Sequence, residues 1–346
     1  MPRYGEQMRI YYHLSEYISH RQAGLAYIAC LESLGHTVLT DSARLPEAQA
    51  AIIHDDPLTY GPLFARHPEL GKLRGIAYCV WENEKLTPHY IPHLRLVSEI
   101  WTPSAFSCRS IAGIFPPASQ KTHILPHVVE RTLPTPEERA FAAGAMRSGE
   151  AAFRFFSIVD SLNPRKNVRA LLAAFSVLRS IMSRKPLLFL KQYRVDFDYS
   201  GIPGVYSISG NLTDGQMAAL HMEADAYVSA HHAEGWGLGL SAAMAYGKPV
   251  IATGYSGNMD FMDEGNSFPV PYAMVPVSEE MCERLPLFSR DMRWAQIDPG
   301  ALVKSMYRVA TGDFSPALFG NAAGITRRFG QKQVAERLRE LLETEY

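Results

Sequence analysis

The chain carries no excess charge of either sign. Its 34 Lys and Arg stand against 35 Asp and Glu, a formal net charge of -1. Such a balance leaves no electrostatic footprint for nucleic acid, and no long Lys/Arg stripe interrupts it. Cysteine is scarce. Cys30, Cys79, Cys108 and Cys282 are scattered and form no C-x-x-C pair. That excludes a disulfide framework and a cysteine zinc site, and it fits reduced thiols in a cytoplasmic setting. No apolar run approaches the length that spans a bilayer. Met1–Glu6 lacks the charged-then-apolar layout of a secretory leader, so none is expected. Repeats and low-complexity tracts are also missing. Peripheral membrane contact is left open.

What is present is a soluble globular composition, 47% hydrophobic and 20% charged over 346 residues, enough for two domains. "MRIYYH" reads as a first strand. "QAGLAYIACLESLG" reads as a helix with Leu25, Ile28, Ala29, Leu31 and Leu34 on one stripe and Gly35 closing it. "HTVLT", "AAIIH", "GIAYCVW" and "EIWTPS" continue as strands. Continuous apolar strands alternating with helices predict a parallel sheet covered on both faces. Pro126, Pro134 and Pro136 mark a linker over 131–150. The pattern then restarts with "FRFFSIVD", "NVRALLAAFSVLRSIM", "LLFLKQ", "DGQMAALHMEA", "AYVSAH" and "PVIAT". The expected organisation is therefore a domain over 1–130, a linker, and a second α/β domain over 151–330. An amphipathic helix over 331–346 is a candidate to pack back on the first domain.

The densest signal is "AEGWGLGLSAAMAYGKPVIATGYSGN", Ala233 to Asn258. Glycines at 235, 237 and 239 follow Glu234 at a strand-to-helix junction. Glycine there permits close backbone approach, and a helix N-terminus offers unpaired N–H groups that suit a phosphate. A tight turn packed on the sheet is the plainer reading of glycines alone; the adjoining acid favours a ligand. "GWGLGL" is not G-x-G-x-x-G, and "PVIAT" ends without an acid for a ribose, so a nicotinamide enzyme is disfavoured.

Glu234–Leu238, Ala243–Ala245 and Gly247–Ala252 resemble the donor-site signature of glycosyltransferase family 4. "YSGNMDFM", with Gly257 and Asp260, and "VDSLNPRKNVRALLAAF" continue the likeness. It is strongest over about 153–271; upstream, "AYCVWENEKLTPHY" and "EIWTPSAFSCRSI" look like members acting on polysaccharides. The resemblance implies an α/β fold of the GT-B type, two Rossmann-like doubly wound domains facing an interdomain cleft. It implies a retaining hexosyltransferase that needs no metal or cofactor. UDP- or GDP-sugar would be the donor, and a glycan or lipid-linked molecule the acceptor.

By the same resemblance Glu234 holds the transferred sugar and Lys166 the diphosphate. Arg165 adds charge beside Lys166. Gly235, Trp236, Gly237, Leu238 and Gly257 surround the donor, and Gly24 corresponds to a first-domain glycine near the phosphates. Glu82, after Trp81, takes an acceptor-side position. Two positions depart from the family. Ala242 stands where a ribose-gripping glutamate is expected, leaving Ser241 as a weak substitute, and Ser161 stands where an arginine is expected.

His231 and His232 lie on a strand end, so one is expected in the core and the other toward the cleft, with His231 the donor-binding candidate. Asp196–Asp198 is a D-x-D and His54–Asp56 an H-D-D; metal ligation is open to both, but a loop and a capping cluster are the expected roles. Three hypotheses stay open. They are a polysaccharide-assembling glycosyltransferase, a non-catalytic relative binding a partner or glycan, and another GT-B enzyme such as an epimerase or phosphorylase.

Overall fold

The computed structural model describes residues 7–115 and 121–344. Met1–Glu6, on which the expectation of no leader rests, lies outside the described residues. The chain forms two compact units, residues 1–128 with 327–346, and residues 129–326.

The first unit is built on six parallel strands. These are β1 (Arg9–Leu14), β2 (Thr37–Leu39), β3 (Ala50–His54), β4 (Arg74–Tyr78), β5 (Glu99–Thr102) and β6 (Thr122–Ile124), in the order β2-β1-β3-β4-β5-β6. Ala50–His54 is buried throughout, as a strand covered on both faces must be. The helix Ile18–Ser33 buries Ala23, Gly24, Tyr27, Cys30 and Leu31; of the expected stripe Leu31 is buried and Ile28 and Leu34 pack at the core's margin, but Leu25 is 49% exposed and Ala29 is exposed. The turn of phase comes from Tyr27. Its ring enters the core, and its hydroxyl lies 2.6 Å from that of Tyr78 and donates to the Pro126 carbonyl at 3.0 Å. A tyrosine with internal partners buries as well as a leucine. Gly35 follows at φ +88, the left-handed exit from the helix.

The helix Gln331–Glu343 completes this core. Val334, Leu338, Leu341 and Leu342 pack with Ile10, Tyr27 and Cys30. Arg74 locks it from β4, donating to the carbonyls of Leu341 at 2.7 Å and Leu342 at 2.6 Å while pairing with Glu99 at 2.6 Å. A cation there satisfies the helix's orphan carbonyls and complements its dipole.

The second unit repeats the plan with β7 (Arg154–Val159), β8 (Leu187–Gln192), β9 (Val205–Ile208), β10 (Ala226–Ser229), β11 (Val250–Thr253) and β12 (Phe268–Val270). All are parallel, in the order β12-β11-β10-β7-β8-β9. The helix Val168–Ile181 buries Leu171, Ala174, Phe175 and Leu178 against it. An antiparallel pair of β13 (Tyr272–Pro276) and β14 (Arg293–Ile297), joined through the helix Glu279–Arg284, is added, and no turn signal in the sequence marks it.

The segment read as a linker contains a helix, Pro136–Ala145, inside the second unit. Thr135 and Glu138 close a capping box, and Glu138 also accepts from the Thr213 hydroxyl. Pro136 therefore starts a helix, where its fixed φ suits the first turn, instead of ending one.

The strand order sets the location of chemistry. From β7 the chain runs outward through β8 and β9, then returns to lay β10 on the other side of β7. The carboxyl ends of β7 and β10 thus flank a topological switch point, where open α/β sheets bind ligands. Among the described residues no helix is long and apolar enough to cross a membrane.

Candidate functional site

Two loops meet at that switch point. After β7, Asn163 caps a short turn, Pro164–Lys166, by accepting the Arg165 N–H at 3.1 Å. Asn167 follows in the left-handed region at φ 49 and starts the next helix. After β10, the chain passes His231 and His232 to Glu234. The His232 N–H donates to the Arg165 carbonyl at 2.8 Å, which ties the loops together.

The result is a charge cluster. Lys166 Nζ lies 2.5 Å from Glu234 Oε1, and Arg165 Nη1 lies 3.1 Å from Glu234 Oε2. Arg165 also donates to the Ala233 carbonyl at 2.5 Å and is buried. Burial would raise the Glu234 pKa, but Lys166, Arg165 and His231 outweigh it and hold the carboxyl well below the usual range. Cations at a helix start are unfavourable unless an anion lies nearby; Glu234 is the anion paired with both.

Glu234 is fixed from a third side. Its N–H donates to Ser256 Oγ at 2.7 Å, and its carbonyl accepts the Gly257 N–H at 2.9 Å. Ser256 holds φ 80 and ψ -148, a region costly for any residue with a side chain. A Cβ on Gly257 would fall 2.0 Å from the Gly235 carbonyl oxygen, so the loops meet only with glycine there.

The helix Leu238–Ala245 begins beside Glu234. Gly237 is its N-cap at φ 99, with no side-chain cap hydrogen bond. Leu238 is 37% exposed. The other residues of the glycine stretch serve packing. A Cβ on Gly239 would meet the Tyr227 hydroxyl at 2.4 Å. Trp236 is buried, its ring 4.8 Å from Phe261 and its N–H donated to Ser241 Oγ at 3.1 Å. Ser241 in turn donates to the Leu238 carbonyl at 3.1 Å. Trp236 and Ser241, expected to touch the donor, are thus committed to the protein interior. Neither residue type announces in sequence which way it faces.

Both histidines are buried, which corrects the expectation of one in the core and one in a cleft. His231 bridges Ser229 Oγ at 3.0 Å and Asn258 Oδ1 at 3.2 Å; His232 stacks on Trp294 at 4.1 Å between ring centroids. Burial lowers each pKa to about 4. The β13–β14 pair supplies the Trp294 that the strand-alternation argument did not foresee.

Gly24, Glu82 and His54–Asp56 belong to the first unit. Gly24 lies within the helix Ile18–Ser33, where a Cβ would meet Leu14 at 2.5 Å and the His54 ring at 3.2 Å. It therefore serves helix–sheet packing. Glu82 is half-buried after Trp81. His54 contacts the Tyr12 hydroxyl at 2.9 Å through Nδ1. Asp55 accepts from Ser15 at 2.6 Å, and Asp56 caps the turn Pro57–Thr59 and accepts from Tyr90 at 2.9 Å. Asp196 and Asp198 lie in an exposed loop of the second unit. Among the described residues no three His, Cys, Asp or Glu side chains gather as a metal site.

Two features at the end of β8 escaped the sequence reading. Gln192 accepts from Ser161 Oγ at 2.8 Å and donates to Ser207 Oγ at 2.9 Å and the Phe197 carbonyl at 2.8 Å. Lys191 is buried, donates to the Gln192 carbonyl at 2.6 Å and sits 4.2 Å from the Tyr193 ring centroid. Both act through strand pairing, which no local motif encodes.

The family model for group 1 glycosyl transferases matches residues 198–272. The fold is that of the GT-B glycosyltransferases. Anabaena HepE in complex with UDP and glucose superposes with a TM-score of 0.63 at 13% identity, covering 98% of this chain and 100% of that one. Sucrose-phosphate synthase from Thermosynechococcus elongatus gives 0.66 at 14% identity, with 97% and 98% covered. The pneumococcal O-GlcNAc transferase GtfA in complex with UDP and GlcNAc gives 0.59 at 12% identity; 85% of this chain is covered, and it spans 56% of that protein. No curated protein sequence matches.

Proposed function

We propose that the chain is a retaining glycosyltransferase of family 4. It would move a hexose-type sugar from a UDP- or GDP-sugar to a glycan or lipid-linked acceptor in cytoplasmic assembly of a surface or secreted polysaccharide. The observation that carries this reading is the meeting of Lys166 and Arg165 with Glu234 at the carboxyl ends of β7 and β10, beside the uncapped helix start at Gly237. Two cations and the first backbone N–H groups of a helix suit a diphosphate, and the carboxylate suits sugar hydroxyls.

Chemistry follows from charge. As the sugar–phosphate bond breaks, its electron pair passes to the leaving diphosphate. Lys166, Arg165 and the N–H groups near Gly237–Leu238 stabilise that charge in place, without a metal. The acceptor hydroxyl attacks the anomeric carbon on the same face, and its proton passes to a departing phosphate oxygen. Glu234 orients the ring. Glu82 is assigned to the acceptor side.

Solved relatives in this fold hold UDP, so UDP is the first probe and GDP the second. Calorimetric titration of each, followed by hydrolysis of the matching nucleotide sugar with and without chelator, tests the reading. Nucleotide binding with chelator-insensitive turnover supports it. Binding of neither nucleotide refutes it and favours the non-catalytic alternative that Ala242 and Ser161 suggest. Loss of turnover with chelator refutes metal independence.

A further inference from the structure

We propose that Arg194 is a further phosphate-binding cation of this site, a role that rests on the nucleotide-sugar reading above. Arg194 lies just past β8. Its backbone is left-handed at φ 66, a conformation that disfavours a residue with a side chain. Its guanidinium pairs through Nη2 with Asp160 Oδ2. Asp160 is nearly buried at the end of β7, and its other oxygen accepts the Leu162 N–H at 3.2 Å. Arg194 is therefore docked on the same loop that delivers Arg165 and Lys166.

The distance along that loop is short. The Asn163 N–H donates to the Asp160 carbonyl at 3.0 Å, and the Lys166 N–H to the Asn163 carbonyl at 3.0 Å. Two successive turns, each closing its ends to under about 7 Å, keep Asp160 and Lys166 within about 14 Å at Cα.

Arg194 retains capacity for a ligand. Its side chain is 53% exposed. A guanidinium carries five N–H donors in a planar fork, so one edge can hold Asp160 while another takes a phosphate oxygen. The surroundings are held by hydrogen bonds. Gln192 accepts the Phe197 N–H at 3.1 Å and donates to its carbonyl at 2.8 Å, and Tyr199 donates to Ser161 Oγ at 2.9 Å. These bonds pin the loop carrying Arg194 to the ends of β7 and β8. Ser161 itself is committed to this network.

The test is titration of uridine, UMP and UDP, or the guanosine series if the wild type takes GDP, into the wild type, Arg194→Gly and Arg194→Lys. Arg194→Gly removes the guanidinium and relieves the left-handed backbone but leaves Asp160 without its partner, so melting temperature is read beside affinity, and Arg194→Lys, which keeps a cation for Asp160, is the variant that separates the two. Loss of a charged hydrogen bond should weaken the diphosphate about tenfold to a hundredfold. The nucleoside should bind unchanged, and Arg194→Lys should recover part of the loss. Equal weakening of nucleoside and diphosphate would reveal a structural role and overturn the proposal. Unchanged diphosphate affinity would overturn it too, while leaving the nucleotide reading intact. A wild type that binds neither diphosphate brings down both.

Discussion

Glu234→Gln isolates the charge cluster. The substitution keeps the side chain's shape but removes the anion between Lys166 at 2.5 Å and Arg165 at 3.1 Å. Breaking a buried ion pair by deleting one partner costs about 3–5 kcal/mol, because the remaining charge stays desolvated. Arg165 is 8% exposed and bears that cost; Lys166 is 24% exposed and can lean toward water, which places the expectation at the low end, about 3 kcal/mol. The second unit has about 200 residues, for which each kcal/mol shifts the melting temperature by roughly 2–4 °C. Glu234→Gln should therefore melt about 6–12 °C below the wild type. Pyrophosphate or UDP should narrow the gap, since an added anion replaces the missing one. The assay is differential scanning fluorimetry at low and high salt, with and without each anion. A melting temperature within a degree of the wild type would refute the claim that Glu234 neutralises these cations. So would anion stabilisation no greater than the wild type shows.

Lys166→Ala should weaken nucleoside diphosphate binding about tenfold to a hundredfold by titration; an unchanged dissociation constant would remove Lys166 from the phosphate site. Gly239→Ala should cost about 1–3 kcal/mol in denaturant unfolding, because its Cβ meets the Tyr227 hydroxyl that accepts the Ile158 N–H. Gly144→Ala, inside the helix Pro136–Ala145 with open space around it, should instead gain about 0.5–1 kcal/mol. Stability should fall on acidification from pH 6.5. Burial lowers His221 to about 3 and His231 and His232 to about 4, so the unfolded chain binds protons first. Each adds a slope of up to about 1.4 kcal/mol per pH unit between 6.5 and its folded pKa. Glu234, whose pKa is depressed, adds its loss only below the ordinary carboxylate value of 4.5. Equal urea midpoints at pH 7 and pH 5 would contradict the buried-neutral state of these histidines.

Much of the second unit was legible because its strands are continuous apolar runs and its helices carry clear start signals. "LLFLKQ" is β8 residue for residue, and the Val168–Ile181 stripe matches its periodicity. Lys166 and Glu234 were paired by the family resemblance alone; they meet because the loops that follow β7 and β10 lie side by side. What stayed hidden depends on pairing or on orientation. Arg194 reaches Asp160 only because β8 lies against β7, and no local pattern marks a left-handed arginine. Tyr27 phased the first helix through hydroxyl partners far away in sequence, one of them at residue 126.

The glycine stretch shows the same limit within a few residues. Its glycines were open to two readings, a tight turn packed on the sheet or, with Glu234 beside them, backbone approach to a phosphate, yet the individual glycines solve different problems. Gly237 supplies the left-handed cap, Gly239 clears the Tyr227 hydroxyl, and Gly257 admits the Gly235 carbonyl. Only the first leaves the helix start without a side-chain cap. The other two act by bringing the helix, β10 and the Ser256 loop close enough to clamp the backbone of Glu234. An alanine at either position should thus impair the site through the placement of Glu234, with its charge intact. For a phosphate-binding turn, the expectation would be the reverse: lost affinity with an undisturbed carboxylate.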